Sequence, residues 1–244
     1  MAAGALLWLL SLAVFLRAYR RQKRTADELA ETQEVTILAM ADQAELGDRQ
    51  TGRHAERTAT YVRVLAEELA LLPSYRRYLT AAYVRDLVKS APLHDIGKAG
   101  IADAILLKPD GLTEEEMQEI RRHCEYGARV LRGAEHRLKF PSFLRIAIAL
   151  TLSHHEKWDG TGYPHGLRGD AIPVSGRIMA LADTYDALRR VRPYRQAMSH
   201  EETRAAIMER RGTHFDPAVV DAFLRREDEF RRISEDLGDD PTRY

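Results

Sequence analysis

The sequence predicts an all-α protein, and three observations carry that expectation. Apolar residues recur at three- and four-residue steps along most of the chain, strand-like alternation is never sustained, and helix-start signatures open several of the stripes. At 244 residues there is room for one large domain with an appendage.

The appendage comes first. Met1–Leu16 carries no charge, and Leu6, Leu7, Trp8, Leu9, Leu10, Leu12, Val14 and Phe15 make it strongly apolar. Arg17, Arg20, Arg21, Lys23 and Arg24 come immediately after. The run is slightly short of the roughly 20 residues that span a bilayer core. Ala18 and Tyr19 extend it while Arg17 snorkels, so a membrane anchor is expected over residues 1–19. A cleaved signal peptide has its charges in the opposite order. The basic cluster predicts that the chain beyond it lies on the cytoplasmic side, a domain tethered at the cytoplasmic membrane. The start of a larger membrane region, or a buried helix, remains the alternative.

Residues 20–46 read as a basic juxtamembrane segment and a linker helix, since after it begins no glycine or proline occurs before Gly47. Leu29, Val35, Ile37, Leu38 and Met40 keep no strict heptad, so homodimerisation through this helix is only weakly supported.

One helical domain is expected over residues 47–236, with a polar tail at 237–244. Ala55, Ala59, Val62, Ala66 and Leu69 form its first stripe and end before Pro73. Met117, Ile120, Cys124, Gly127 and Leu131 form the next, opened by a capping box of Thr113 with Glu116. Phe143–Leu152 is apolar almost all round, as in a helix at mid-core. Ile178, Leu181, Tyr185 and Leu188 continue the pattern, and Asp216 before Pro217 starts a final helix expected to run through Phe230. Turns fall at Lys108–Gly111, Asp159–Gly169 and Arg210–Thr213. The second is long and glycine-rich, the kind of loop that more often carries function.

Charge removes one class of function. Lys+Arg and Asp+Glu are both 37, a net charge of zero, and a duplex nucleic-acid binder would show a basic surplus. Cys124 is the only cysteine, which excludes an internal disulfide and a multi-thiolate zinc cage. The nine histidines need an explanation.

His94-Asp95, with Lys98 three residues on, can offer an imidazole and a carboxylate to one metal. A lone His-Asp pair is more often a surface turn. His54 shares a helix side with Thr58, Tyr61 and Leu65, and His123 lies on the stripe of Ile120, Gly127 and Val130; each alone reads as a satisfied core histidine. His154-His155 closes the most apolar helix, where two uncompensated imidazoles are costly to bury. Asp183 sits on a packed helix beside Leu181 and Ala182, and alone reads as a solvated helix face. Together, five histidines and two aspartates on one helical core predict a metal site. Imidazole and carboxylate without thiolate suit iron, manganese, zinc, nickel or cobalt. Seven side chains exceed one tetrahedral zinc and suit two ions, which activate water and stabilise an in-line displacement at phosphorus. Lys98 is placed to neutralise a phosphate oxygen, whereas Cys124 points about 100° away from His123 and reads as packing.

The motifs His94-Asp95-Ile96-Gly97-Lys98, His154-His155-Glu156, Asp159-Gly160-Thr161-Gly162-Tyr163-Pro164, Ala182-Asp183-Thr184-Tyr185-Asp186-Ala187-Leu188 and Arg192-Pro193-Tyr194-Arg195 stand in an order that resembles the HD-GYP family. Ile105-Leu106-Leu107-Lys108-Pro109 and Phe215-Asp216-Pro217 also resemble its flanking segments, and the resemblance covers about residues 33–224. That family is the branch of HD-domain metal-dependent phosphohydrolases that hydrolyses cyclic di-GMP. The resemblance implies an HD-domain helical bundle and metal ligation by His54, His94, Asp95, His123, His154, His155 and Asp183, with Asp95 bridging. It implies two divalent ions, iron or manganese, and a water-derived nucleophile. Asp95 and Lys98 would be catalytic, Lys98 contacting the scissile phosphate, while Tyr163, Arg192 and Arg195 position the dinucleotide. Members with a third metal place a glutamate four residues before the first histidine; here Gln50 occupies that position. A two-metal centre and linear pGpG as main product are therefore expected, with cleavage on to GMP left open. Two other readings stay open: an adaptor that binds nucleotide or a partner diguanylate cyclase without turnover, and a phosphohydrolase for another cyclic dinucleotide.

Overall fold

The computed structural model describes residues 2–45, 53–108, 111–191 and 196–238. Two compact units are formed, Met1–Ala39 and Met40–Tyr244.

The first unit is the greater part of α1, Ala2–Glu45, a single 44-residue helix. After Gly4 nothing in it breaks helical geometry, and Arg24 pairs with Glu28 one turn on at 2.7 Å. The expected membrane anchor is not supported: among the described residues, no helix is long and apolar enough to cross a membrane. The physical reason is the abrupt onset of charge at Arg17, which cuts the apolar run short while the helix itself continues unbroken into the linker.

The second unit is all helical, with no strand among the described residues beyond an isolated bridge between Arg211 and Phe215. Its helices are α2 (His54–Leu69), α3 (Pro73–Arg76), α4 (Ala81–Ser90), α5 (Asp103–Leu106), α6 (Glu114–Arg121), α7 (His123–Glu135), α8 (Leu144–Thr151), α9 (Val174–Leu188), α10 (His200–Glu209), α11 (Pro217–Arg225) and α12 (Glu227–Asp236). Short 3-10 turns, Ala91–Leu93 and Ile96–Gly100, flank His94 and Asp95.

α2 is central and packs against α4, α9, α11 and α12. Its buried face carries Tyr61, Leu65 and Leu69 into a core with Leu87, Leu150, Ile178, Leu181, Phe223 and Phe230. Tyr61 stacks on Phe230 at 4.6 Å, and Tyr185 meets both Phe230 and Phe223 at 5.0 and 5.6 Å. Burying each such ring or aliphatic side chain contributes about 1.5–3 kcal/mol. This cluster seats α2 and α9 side by side, and both carry predicted ligands.

Several expected starts are realised. Thr113 and Glu116 form the capping box, and Asp216 accepts from the Ala218 amide at 2.8 Å. Three expectations need correction. The stripe opened at Thr113 is two helices divided at Arg122, and the helix from Pro217 stops at Arg225, with α12 taking over. Neither break has a glycine or proline to announce it. α8 is not wrapped on all sides, since Leu144, Ile146 and Ile148 are only partly buried.

Gly133, inside α7, faces open space, with nothing within 4 Å of the position a Cβ would take. Gly133→Ala is expected to stabilise by about 0.5–1 kcal/mol through the unfolded chain's lost freedom. That corresponds to about 1–4 °C in Tm. A thermal melt that is unchanged or lower would contradict this account of α7.

Candidate metal centre

The centre is built where four helical elements end. α4 closes at Ser90, and the turn Ala91–Leu93 leads directly into His94 and Asp95. Thr151, at the end of α8, donates to the Leu93 carbonyl at 3.3 Å, which draws His154 and His155 toward the turn. Gly97 permits the closest approach: a Cβ there would lie 1.9 Å from the His123 carbonyl oxygen. The chain after Asp95 therefore lies directly on the first turn of α7. His54 opens α2, and Asp183 projects from α9.

Backbone hydrogen bonds settle the tautomers. Nδ1 of His94 meets the Ala91 carbonyl at 3.0 Å, Nδ1 of His123 the Ile120 carbonyl at 2.7 Å, and Nδ1 of His154 the Thr151 carbonyl at 3.0 Å. A carbonyl only accepts, so each Nδ1 carries a proton, and in the neutral ring, the form that binds a metal, Nε2 presents the lone pair. Nδ1 of His54 faces Asp186 Oδ2 at 2.8 Å with the same consequence.

Ring nitrogens converge with carboxylate oxygens in two groups, Asp95 with His123, His154 and His155, and His54 with His94 and Asp183. Asp95 Oδ1 lies 3.1 Å from His123 Nε2 and 3.5 Å from His154 Nε2, while Oδ2 lies 3.3 Å from His94 Nε2. One carboxylate thus turns one oxygen to each group. In the second group, Asp183 Oδ1 stands 3.6 Å from His54 Nε2 and 4.0 Å from His94 Nε2. His94 Nε2 and Asp95 Oδ1 are buried and make no hydrogen bond. Lone pairs gathered without partners are costly unless a cation meets them. The donor set fits divalent metal.

The electrostatics point the same way. Burial alone would push both His94 and His123 down, yet the Asp95 carboxylate lifts His94 above its ordinary value and His123 to about 10. Burial would raise Asp95, but Lys98 and His94 hold it well below the carboxylate range. The pocket attracts positive charge, and a metal must displace the protons that satisfy it. Uptake of manganese near neutral pH is expected to eject protons, and affinity is expected to rise with pH because proton and cation compete for the same nitrogens. Titrations in buffers of different ionisation enthalpy read this directly; no proton release would contradict it.

All seven expected ligand residues are brought together. Lys98 is buried, with Nζ 2.7 Å from Asp95 Oδ2, so it is turned onto the carboxylate at the heart of the site. Tyr163 stacks on His155 at 4.7 Å between ring centres, and the Arg121 guanidinium lies over the Tyr163 ring at 5.4 Å. Gly162 lets this loop press on the chain, since a Cβ would stand 2.5 Å from the His155 carbonyl oxygen. Cys124 is closer than expected: Sγ lies 3.4 Å from His123 Nε2, and burial raises its thiol pKa. Gln50, Arg192 and Arg195 lie outside the described residues.

Four contributors escaped the sequence reading. Arg121, at the end of α6, carries no motif that would single it out. Arg57 and Asp186 come three residues after His54 and Asp183 on the same helical faces, a spacing that could have marked them. Glu156, beside the histidine pair, is buried and accepts from the amides of His165 and Leu167 at 2.8 and 2.9 Å. It pins the loop that carries Tyr163. Glu156→Ala is expected to raise KM about ten-fold, the equivalent of about 1.4 kcal/mol of binding, with kcat changing less. Steady-state kinetics on the metal-loaded protein check it, and an unchanged KM would contradict the role.

The family described as HD domain matches residues 36–219. A Vibrio cholerae protein named cyclic di-GMP phosphodiesterase is 52% identical over 210 residues, covering 86% of this chain and 43% of its own. A second, from the same organism and named as a probable cyclic di-GMP phosphodiesterase, is 47% identical over 89% of this chain and 49% of its own. A third V. cholerae protein, named 3′3′-cGAMP-specific phosphodiesterase 2, is 40% identical over 87% of this chain and 38% of its own. The chain spans less than half the length of these curated relatives. The crystal structure of a V. cholerae cyclic GMP-AMP-specific phosphodiesterase superposes with a TM-score of 0.58 at 21% identity, covering 84% of this chain and 50% of the other. At that identity the likeness speaks for the fold.

Proposed function

The chain belongs to the HD-domain family, of the HD-GYP type, and from that premise we propose that it hydrolyses cyclic di-GMP with two divalent ions, iron or manganese. The observation that carries the proposal is Asp95, whose two oxygens face the two ligand groups. His123, His154 and His155 would hold one ion, and His54, His94 and Asp183 the other, with Asp95 shared.

Bound there, the ions would supply an activated water and neutralise charge in an in-line displacement at phosphorus. The chain's own residues do the rest. Asp95 and the tautomer-fixed histidines present lone pairs without reorganisation during reaction. Lys98 bonds Asp95 and offers its ammonium to a phosphate oxygen. Tyr163, braced by His155 and Arg121, gives a guanine a stacking face, and Arg192 and Arg195 offer forked donors to phosphate or guanine. With Gln50 in place of a third carboxylate ligand, linear pGpG is the main product.

The relative named for 3′3′-cGAMP favours a second reading, in which the same centre opens that cyclic dinucleotide. Incubating reduced, metal-loaded protein with both compounds and chromatographing the products decides. Metal-dependent pGpG formation, with cyclic di-GMP preferred, supports the proposal. Preference for 3′3′-cGAMP moves it to the second reading. Absence of turnover with both, matched by an Asp95→Ala control, removes the enzyme and leaves the adaptor.

A further inference from the structure

His54 is oriented differently from the other histidines with a settled tautomer. His94, His123 and His154 each donate to a carbonyl three residues back. His54 is the first residue of α2, Arg53 before it is left-handed, with φ of 78°, and the His54 Nδ1 meets a side chain. That side chain is Asp186, delivered by α9 three residues after the ligand Asp183 and therefore on the same face. α2 repeats the arrangement: Arg57, three residues after His54, donates Nε to Asp186 Oδ1 at 2.6 Å and Nη2 to Oδ2 at 2.9 Å. Its Nη1 donates to the Leu237 carbonyl at 3.1 Å, and Arg190 Nε lies 3.9 Å from Asp186 Oδ1.

Resting on the two-ion reading above, we propose that Asp186, locked by the Arg57 fork, is the positioning residue of His54, and that this pair sets the occupancy of the ion site formed by His54, His94 and Asp183. A carboxylate accepts only, so His54 Nδ1 carries the proton and Nε2 is left as the ligand atom. A carboxylate partner also makes the imidazole a stronger ligand than a carbonyl partner does. The Arg57 and Asp186 side chains are both about 1% exposed, so neither charge is tolerable in that place without the other. The network reaches the ion site through His54, which like His94 and Asp183 lies outside the Asp95, His123, His154 and His155 group.

The test uses the full chain stripped of metal and titrated with Mn²⁺ alone, bound and free ion being distinguished by electron paramagnetic resonance. The wild type is expected to take two ions. Asp186→Asn is expected to keep one at an affinity within about three-fold of wild type, and to bind the other about ten- to a hundred-fold more weakly. Arg57→Lys, which keeps the charge and loosens the fork, should fall between and carries the test if Asp186→Asn does not fold. Nitrogen-15 spectra of histidine-labelled apo protein, assigned with His54→Gln, should show His54 protonated on Nδ1 in the wild type and a mixture in Asp186→Asn. Equal affinity for both ions in all three proteins would overturn the proposal, as would loss of both ions in proportion to a fall in apo Tm. A wild type with the expected tautomer but no second ion defeats the two-ion reading while leaving the orientation of His54 by Asp186 intact.

Discussion

Asp95→Asn is expected to abolish turnover while leaving the helical content of the protein unchanged. Asparagine keeps the shape and removes the charge, and with it the paired carboxylate oxygens that face the His123 group and His94. Lys98, now 2.7 Å from that carboxylate, loses its counter-ion as well. Metal-ion catalysis is worth several kcal/mol of transition-state stabilisation, here about 4 kcal/mol, which is about a thousand-fold in rate. Turnover and metal content measured on one preparation check the prediction together. Retained activity with a full complement of metal would contradict the shared role of Asp95.

Gly97→Ala is expected to have the largest effect of any methyl group added at a described glycine. The added carbon would stand 1.9 Å from the His123 carbonyl oxygen and 2.4 Å from the Gly127 amide nitrogen. These are backbone atoms of α7, which cannot swing aside as a side-chain tip can. Overpacking of this kind costs about 3 kcal/mol, or about 6–12 °C in Tm for a domain of this size. The strain falls where Asp95 and His123 are held 3.1 Å apart, so metal binding should weaken together with stability. Gly133→Ala, a methyl group on the open side of the same helix, is the internal control. Equal melting temperatures for the two variants would show that the turn does not press on α7.

The predicted ligand residues were legible as polar groups on or beside apolar helical faces. His54 and His123 share helix faces with apolar residues, His154 and His155 close the most apolar helix, and Asp183 sits on a packed helix; burying such groups without partners is unfavourable, and their number points to a metal. The capping box at Thr113 and the Asp216-Pro217 start were legible because they act over four residues or fewer. Distance in sequence hid the rest. Asp186 meets Arg57 across 129 residues, and a charged residue three positions beyond another polar one reads as a solvated helix face until the fold turns it inward. The breaks at Arg122 and Arg226 carry no glycine or proline that would mark them in the sequence. Cys124 is buried, and its thiol lies 3.4 Å from His123 Nε2. The apolar start of α1 resembled an anchor locally; only its whole length, with charge from Arg17 onward, shows that no described span meets the requirement.

Anomalous diffraction at the manganese edge, from crystals of the full chain grown with Mn²⁺, tests the central claim most directly. Two peaks about 3.5–4 Å apart are expected, one on His123, His154 and His155, the other on His54, His94 and Asp183, with an Asp95 oxygen on each. No peak in this pocket, or one ion held by a single group beside an empty second group, would contradict the account.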